Sequence, residues 1–346
     1  MFGKSSVLAI DVGSYLVKTI VIEGTSKKPI MTKCNISTLP THAIVDGEIM
    51  DRESVLDSIR NSLDVLEVEN KQVVSCISGR DVIVKKIRMP KMNEAEAREQ
   101  VKWEAEQYIP YEVEDISLDF QILNPSVGED SMEVLLVGAK RDAVDARLHL
   151  FRDLDLEPIV LDYAAFSLQN IFEFNHSVET GKLIGLFHIG AQYTAMSFIE
   201  GIINHFTREV PTAVTTLIQA LQREAGIDGE RAIDIIKTGE KGDIDQYAYQ
   251  NAVESFQDDL GIAIERVLPY LPEGFENFNQ IVISGGGSLI KGIPEFLEKR
   301  FGTPVEVMNP FVEFDYDRES PFINVNVEEM GPILAPALGL SLRGLK

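Results

Sequence analysis

The sequence is short of cysteine and has no long uninterrupted hydrophobic run. Cys34 and Cys76 stand far apart without CxxC spacing, so they predict neither a disulfide framework nor a zinc site and fit a reducing compartment. No apolar stretch approaches the roughly 18 residues of a membrane span. Asp11 interrupts the apolar start that a signal peptide would need. We therefore expect a cytoplasmic protein with no direct membrane insertion.

Positive charge is also scarce. The chain has 32 Lys and Arg residues against 55 Asp and Glu, a formal net charge of −23. This balance argues against nucleic acid as a partner and against adhesion to anionic lipid, because both draw on clustered cations. With 346 residues, 45% of them hydrophobic, the chain should fold into two domains, each open to subdivision.

One stretch of sequence occurs twice. LAIDVGSYLVKTIVIEG (8–24) aligns without a gap with GLFHIGAQYTAMSFIEG (185–201). Each copy reads as a strand, a tight glycine turn and a returning strand, and the copies start 177 residues apart. At the polar position before the turn, the first copy has Asp11 and the second has His188. The pattern predicts two similar hairpins in two related halves of the chain.

Two facing glycine hairpins can grip the phosphates of one nucleotide, because glycine lets backbone N–H groups approach an anion closely. In such a cleft Asp11 would hold a hydrated magnesium ion, Ser14 would donate to a phosphate and Lys18 would neutralise charge. The alternative is that each hairpin is an ordinary sheet corner. The length-matched repetition favours the shared cleft.

A third glycine motif is IVISGGGSLIKGIPEFL (281–297), a strand followed by three glycines and a helix opened by Ser288. Helix N-terminal N–H groups carry partial positive charge, so this turn suits a phosphate or a nucleoside. It does not fit a dinucleotide fingerprint, since Ile290 stands where the third glycine is required.

A small module interrupts the first half. Residues 82–156 read as β-α-β-β-α, with Asn93 and Glu96 forming a capping box at the start of the first helix and Pro110 ending it. Residues 212–278 read as mostly helical, and after them predicted strands and helices alternate again.

These motifs resemble the actin-like ATPase superfamily and, within it, the family of type IV pilus assembly proteins PilM, relatives of the division protein FtsA. The narrower match lies in AIVDGEI (43–49), WEAEQYIPY (103–111), EVLLVGAKRDAVD (133–145), SGGGSLIKGIPEFLEKRFGTPVEVMNPF (284–311) and LAPALGLSLRGL (334–345). The resemblance implies a bilobed actin-like α/β fold, a duplicated ribonuclease H-like architecture with an inserted module. It also implies ATP or ADP and magnesium between the lobes.

The expected domains are a first lobe at 1–81 and 157–180, the module at 82–156, a second lobe at 181–211 and 279–346, and a helical subdomain at 212–278. By the same resemblance, each site motif receives a role: Asp11, Gly13, Ser14 and Lys18 in the first phosphate motif, Gly190 and Thr194 in the second, and Gly285, Gly286, Gly287 and Ser288 in the adenosine motif. Asp234 and Lys237 would reach the ribose and base, although an ordinary surface pair with this i,i+3 spacing is equally open.

PilM-like proteins are also expected to bind the cytoplasmic N-terminal peptide of the inner-membrane protein PilN, in a groove between the first lobe and the module. Such binding would recruit this protein to the inner face of the inner membrane and link the membrane platform to the assembly ATPases. Extended peptides in grooves are a common mode of recognition.

The second hairpin departs from the family, which usually has Asp where this chain has His188. Imidazole is a poor magnesium ligand but can donate to a phosphate, and its ordinary pKa near neutrality would make that contact pH-sensitive. A plain strand-end histidine is the alternative. We expect nucleotide binding with slow or absent hydrolysis, in which Asp11 would position metal or water. The other hypotheses are an active actin-like ATPase, and a self-associating FtsA-like filament protein or a sugar kinase.

Overall fold

The computed structural model describes residues 6–79, 82–177 and 179–345. The first part of the chain forms an antiparallel meander, a small hairpin, a helix and a return strand: β1 (Ser6–Val12), β2 (Leu16–Thr25), β3 (Lys28–Thr38), β4 (Ile44–Val45), β5 (Glu48–Ile49), α1 (Arg52–Val65) and β6 (Gln72–Ile77). Helix α1 begins where the Asp51 carboxylate accepts the Ser54 backbone N–H, which satisfies one of the free amide groups of the first turn.

The next part is the small module and the helix that follows it: β7 (Val82–Pro90), α2 (Glu94–Tyr108), β8 (Ile116–Val127), β9 (Ser131–Lys140) and α3 (Arg141–Arg152). The three strands form an antiparallel sheet in the order β7-β9-β8. The predicted capping box is confirmed, because Asn93 accepts the Glu96 backbone N–H and Glu96 accepts that of Asn93.

The rest of the chain contains the second lobe and the helices that connect the lobes: β10 (Glu157–Tyr163), α4 (Ala164–Asn175), β11 (Leu183–Ile189), β12 (Thr194–Glu200), β13 (Ile203–Val210), α5 (Val214–Ala225), α6 (Gly229–Thr238), α7 (Gln246–Glu265), β14 (Gln280–Ser284), α8 (Ile293–Phe301), β15 (Val305–Val307), β16 (Asp315–Tyr316) and α9 (Val327–Gly344).

The two larger sheets have the same arrangement of strands. The first has the order β10-β6-β1-β2-β3-β16, in which β1 to β3 are antiparallel and β6 and β10 continue parallel to β1. The second has the order β13-β12-β11-β14-β15, again an antiparallel meander followed by two parallel strands. The predicted duplicated α/β fold is therefore confirmed.

Helices α4 and α9 lie in a layer between the two sheets. One hydrophobic cluster joins Ala9 of the first sheet, Leu186 of the second, Leu168 of α4 and Leu334 of α9. The two helices cross so closely that a Cβ atom on Gly339 would lie 1.7 Å from the Ser167 carbonyl oxygen. Only glycine fits this crossing without moving backbone.

The outer faces of the sheets are covered by other helices. Leu56 of α1 and Phe151 of α3 pack against Leu8 and Ile10 of the first sheet. Helices α5 to α8 cover the second sheet, with Phe256 of α7 at the centre of the cluster. Because helices cover both faces, β1 is buried from position 7 to position 12 and reads as a continuous apolar run broken only by Asp11.

Three elements pack differently from the predicted domain division. Helix α3, expected in the module, buries Leu150 and Phe151 in the first-lobe core. Strand β16 pairs with β3 of the first sheet, and α9 packs against β1, β2 and β6, although both were expected in the second lobe. The reason is that the chain crosses back to the first lobe after β15. The boundaries themselves stay a prediction.

Among the described helices, none combines the length and the apolar character needed to cross a membrane.

The substitution Gly339→Ala should destabilise the protein by about 3 kcal/mol, because the new methyl group overlaps the Ser167 backbone and forces α4 and α9 apart. Urea unfolding followed by circular dichroism measures the effect. Gly229→Ala, also helical but 3.6 Å from its nearest neighbouring atom, is the control and should leave the midpoint unchanged or slightly higher. Equal midpoints for both variants would contradict the proposed role of the crossing.

Candidate functional site

The ends of β1 and β2 carry a buried ion pair. Asp11 and Lys18 lie opposite each other in the strand register, and Lys18 Nζ is 2.7 Å from Asp11 Oδ2. Each residue is only 6% exposed. Burying either charge alone would be costly, so each compensates the other. The predicted metal carboxylate and the predicted phosphate-binding cation are therefore brought together.

The turn between these strands keeps the backbone close to the lysine. The Gly13 N–H donates to the Leu16 carbonyl at 3.0 Å. A Cβ atom on Gly13 would lie 3.1 Å from Lys18 Nζ, so a side chain here would crowd the ammonium group. Ser14 is half-buried at the tip, and its hydroxyl forms no hydrogen bond with the residues that the structure describes.

The second hairpin repeats the backbone geometry without the charges. The Gly190 N–H donates to the Tyr193 carbonyl at 3.0 Å, and a Cβ atom on Gly190 would lie 2.8 Å from that oxygen. His188 pairs with Ala195 in the register that the ion pair occupies in the first hairpin. The internal duplication therefore extends to individual hydrogen bonds, whereas the side chains have diverged.

Thr194 uses its hydroxyl inside the second lobe. The side chain is fully buried, and Oγ1 donates to the Thr212 carbonyl at 2.6 Å. This bond fastens β12 to the segment that enters α5. The predicted contact between Thr194 and a phosphate stays a prediction.

His188 faces the first lobe. Its Nδ1 lies 3.0 Å from Ser284 Oγ on β14. Burial and, after it, the nearby Lys18 ammonium lower the pKa of His188 to about 4, while the Asp11 carboxylate acts in the opposite direction. The imidazole is therefore neutral at physiological pH. The expected pH sensitivity near neutrality does not hold, because desolvation outweighs the attraction of the carboxylate.

The turn after β14 is pressed against the second hairpin. Gly285 has φ +81°, and a Cβ atom there would lie 2.5 Å from the Ile189 carbonyl oxygen. A Cβ atom on Gly287 would lie 2.1 Å from Ile189 Cγ2, whereas Gly286 has open space around it. Ser288 Oγ donates to the Gly285 carbonyl at 2.7 Å, so its hydroxyl serves the turn. The third glycine motif therefore lies beside the second hairpin, and Gly286 is the glycine in it that has free space for a ligand.

Helix α9 bonds to this turn through a backbone carbonyl that a proline leaves without its usual helical donor. Pro336 has no N–H, so it cannot donate to the Pro332 carbonyl one turn earlier. That carbonyl instead accepts the Gly285 N–H at 2.9 Å. The C-terminal helix therefore positions the glycine turn directly.

The two candidate nucleoside-binding residues on α6, Asp234 and Lys237, make different contacts. Asp234 forms an ion pair with Arg231 at 2.6 Å on the helix surface, and not with Lys237, the partner that the surface-pair alternative gave it. The Lys237 ammonium lies 5.0 Å from the centroid of the Tyr15 ring, a cation–π geometry. Since Tyr15 belongs to the first hairpin, Lys237 reaches across from the helical subdomain to the first lobe.

Sequence reasoning missed the half-buried Glu209. This carboxylate on β13 accepts the Gly79 N–H at 2.9 Å and the Tyr163 hydroxyl at 3.1 Å, both from the first lobe. Burial raises the pKa of Glu209. Its only signal is positional: it pairs with Ala195 in the row that also contains His188. The sequence alone does not show which residues of neighbouring strands pair, so this position could be recognised only in the folded sheet.

A second bridge between the lobes lies at the tip of the second hairpin. The Tyr193 hydroxyl donates to Asp46 at 2.6 Å, and the Gln192 side-chain amide donates to the Ile44 carbonyl at 2.8 Å. Both acceptors belong to the β4–β5 hairpin of the first lobe. The second hairpin is therefore tied directly to the β4–β5 hairpin of the first lobe.

The arrangement fits an anionic ligand with a hydrated cation. Close glycine backbones, the open position at Gly286, Lys18 and the Ser14 hydroxyl are groups that bind phosphates. Among the described residues, no group of three or more His, Cys, Asp and Glu could hold a metal ion. A magnesium ion would therefore depend on Asp11, phosphate oxygens and water, which is its usual preference in nucleotide sites.

Comparison with known proteins agrees with this geometry. Residues 9–345 match the protein family described as type IV pilus assembly protein PilM. The fold is similar to that of the PilM–PilN type IV pilus biogenesis complex, with a TM-score of 0.87, 26% identity and 98% coverage of both chains.

More distant structures share the fold alone. The ethanolamine utilization protein EutJ from Carboxydothermus hydrogenoformans has a TM-score of 0.58 at 15% identity, covering 97% of this chain and 89% of that one. MreB5 of Spiroplasma citri, solved with AMPPNP, has a TM-score of 0.54 at 12% identity, covering 89% and 94%. Together with the match over nearly the whole sequence, the fold and the paired hairpins show that this chain belongs to the PilM family of type IV pilus assembly proteins.

Proposed function

We propose that this protein binds ATP between its two lobes as a structural or switching ligand, hydrolyses it slowly or not at all, and docks the N-terminal peptide of PilN. In this role it links the inner-membrane platform to the assembly ATPases. The observation that carries the nucleotide proposal is the pair of matching glycine hairpins whose side chains Asp11, Lys18 and His188 interact electrostatically across the cleft.

The binding residues follow from the contacts in the cleft. Lys18 would exchange part of its ion pair with Asp11 for a phosphate, while Ser14 and the open backbone at Gly286 would donate to oxygens. Lys237 would close over the nucleoside from α6. When bound, magnesium supplies positive charge beside the phosphates, and Asp11 would hold it through water.

The proposal of slow turnover depends on His188. Hydrolysis requires accurate positioning of water and metal, whereas binding tolerates looser contacts. A neutral imidazole hydrogen-bonded to Ser284 provides no carboxylate at the place where the first hairpin has Asp11. It can donate one hydrogen bond to a phosphate, so binding is retained while the positioning of the attacking water is lost.

A cavity beside the first lobe suits the peptide. It has a volume of about 400 Å³ and is lined by Ile49 and Arg52 on one side and by Ala146, His149 and Asp153 of the α3 segment on the other. A second cavity of about 290 Å³ is also lined by Asp153, together with residues of α1 and of the segment that follows α3.

Met50, next to Ile49, is 65% exposed and would be accessible to an apolar residue of the peptide. The two cavities are lined by the acidic residues Asp64, Asp153 and Asp155 and by the basic residues Arg52, Arg60 and Lys71, and Asp153 already pairs with Arg52. PilN is named with PilM in the solved complex that this chain resembles, which supports PilN as the occupant. Binding there would place the protein at the inner face of the inner membrane.

Calorimetric titration with magnesium and ATP should show binding by the wild-type protein, with little phosphate release in a coupled assay. The substitution His188→Asp should increase release at least tenfold, because it restores a carboxylate at the second hairpin. His188→Asn, neutral and unable to serve as a carboxylate, is the matched control and should show no gain. Rapid release by the wild-type protein, or no binding at all, would contradict the proposal.

The His188 imidazole should titrate with a midpoint near 4 in the folded protein, followed by NMR and assigned from the missing resonance of His188→Asn. Because this pKa lies below the ordinary 6.5, the unfolded chain binds the proton more tightly. The His188 contribution to stability should therefore decline as the pH falls from about 6.5 to about 4. Lys18→Met should raise the midpoint, since the ammonium lowers it; a midpoint near 6.5 in the wild-type protein would refute this account.

Ile49→Asp should weaken binding of a synthetic PilN N-terminal peptide at least tenfold, measured by fluorescence anisotropy, because a charge would replace an apolar side chain that lines the cavity. Ile202→Asp, on a residue 72% exposed at the turn between β12 and β13, is the control and should bind like the wild type. If Ile49→Asp retains full affinity, the peptide lies elsewhere.

A further inference from the structure

The tip of the second hairpin is bonded to a small element of the first lobe. The side-chain amide of Gln192 makes two hydrogen bonds with the β4–β5 hairpin: Nε2 donates to the Ile44 carbonyl at 2.8 Å, and Oε1 accepts the Asp46 N–H at 3.2 Å. The adjacent Tyr193 hydroxyl donates to Asp46 Oδ1 at 2.6 Å. Three hydrogen bonds thus connect this tip to the other lobe.

The β4–β5 hairpin has few interactions of its own to hold its turn. Its strands have two residues each and form a separate two-stranded sheet, and a two-stranded hairpin alone is only marginally stable in water. The turn has φ +54° at Asp46 and φ +88° at Gly47. An aspartate in this left-handed conformation costs free energy that surrounding contacts have to offset. The bonds from Gln192 and Tyr193 are such contacts, so the geometry of the turn depends on where the second lobe lies.

The same hairpin reaches the cavity proposed for the peptide. Ile49 pairs with Ile44 across the two strands, and Ile49 lines the cavity. Ile44 is anchored in the first-lobe core, whereas Ile49 is only partly buried and the next residue, Met50, is 65% exposed. A single residue pair therefore separates the carbonyl that Gln192 binds from the wall of the cavity.

We propose that Gln192 couples the two sites, so that nucleotide binding between the lobes strengthens peptide binding and peptide binding strengthens nucleotide binding. The inference rests on the proposed function and adds a mechanism of regulation to it. A nucleotide that contacts both hairpins of the repeat favours the arrangement with the lobes together, in which the three hydrogen bonds form. These bonds stabilise the β4–β5 hairpin with Ile49 in the cavity wall. The coupling has to be reciprocal, because both ligands favour the same arrangement.

The test is calorimetric titration with a synthetic PilN N-terminal peptide in the presence and absence of magnesium and ATP, and with ATP in the presence and absence of the peptide. In the wild-type protein each ligand should tighten the binding of the other by the same factor, about fivefold or more. Gln192→Ala should bind each ligand alone like the wild type and lose this mutual gain. Tyr193→Phe, which removes one of the three bonds, should retain part of the gain. Gln222→Ala, at an exposed glutamine on α5 of the same lobe, is the control and should match the wild type.

Hydrogen exchange gives a second readout that does not need the peptide. Magnesium and ATP should slow the exchange of the amides of residues 44–49 in the wild-type protein but not in Gln192→Ala, because the Asp46 N–H has lost its acceptor. Exchange in the wild type that ATP binding leaves unchanged would overturn the inference.

The binding outcomes separate the two proposals. If the wild-type protein binds both ligands but neither changes the affinity of the other, the coupling is overturned and the proposed function stands. If Gln192→Ala keeps the full gain, or weakens peptide binding equally with and without ATP, the coupling role of Gln192 is overturned. If the wild-type protein fails to bind either ligand alone, the proposed function and this inference fail together.

Discussion

The crossing of α4 and α9 sets the distance between the two sheets, and the cleft depends on that distance. Because Gly339 has no side chain, the helices meet at the Ser167 backbone and form a single thin layer between the sheets. Asp11 and His188 stand at equivalent ends of β1 and β11, on the faces turned toward this layer. A thicker layer would separate the hairpins, and α9 would no longer hold the turn at Gly285 through the Pro332 carbonyl.

The two hairpins show how a duplicated backbone can keep its shape while its electrostatics diverge. Both turns keep the same glycine hydrogen bond, since each still has to reverse the chain at the edge of the cleft. The first hairpin retains a carboxylate and a lysine, whereas the second has a neutral imidazole and an alanine. Backbone donors remain on both sides, but of the two hairpins only the first carries a charged pair. Such a division favours holding an anionic ligand over transforming it.

Contacts on both sides of the cleft link the lobes to the surfaces around them. Glu209 bonds to the backbone of Gly79, just before the chain enters the module through β7, and β7 in turn lies beside β13. On the other side, Tyr193 bonds to Asp46 in the β4–β5 hairpin, and Ile49 at the end of that hairpin lines the larger cavity. The β4–β5 hairpin thus borders both the proposed nucleotide cleft and the cavity proposed for the peptide.

The sequence by itself determined the duplication, the glycine turns, the capping box at Asn93 and the family, because these follow from local residue spacing and from motifs whose residues are contiguous in the sequence. It also identified His188 as the position where the halves differ. Only the tertiary structure decided that the pKa of His188 falls to about 4, that Lys237 reaches Tyr15 while Asp234 does not, and that α9 serves the first lobe. Glu209 was out of reach for the same reason, since its partners Gly79 and Tyr163 lie far away in sequence and only the folded chain brings them together.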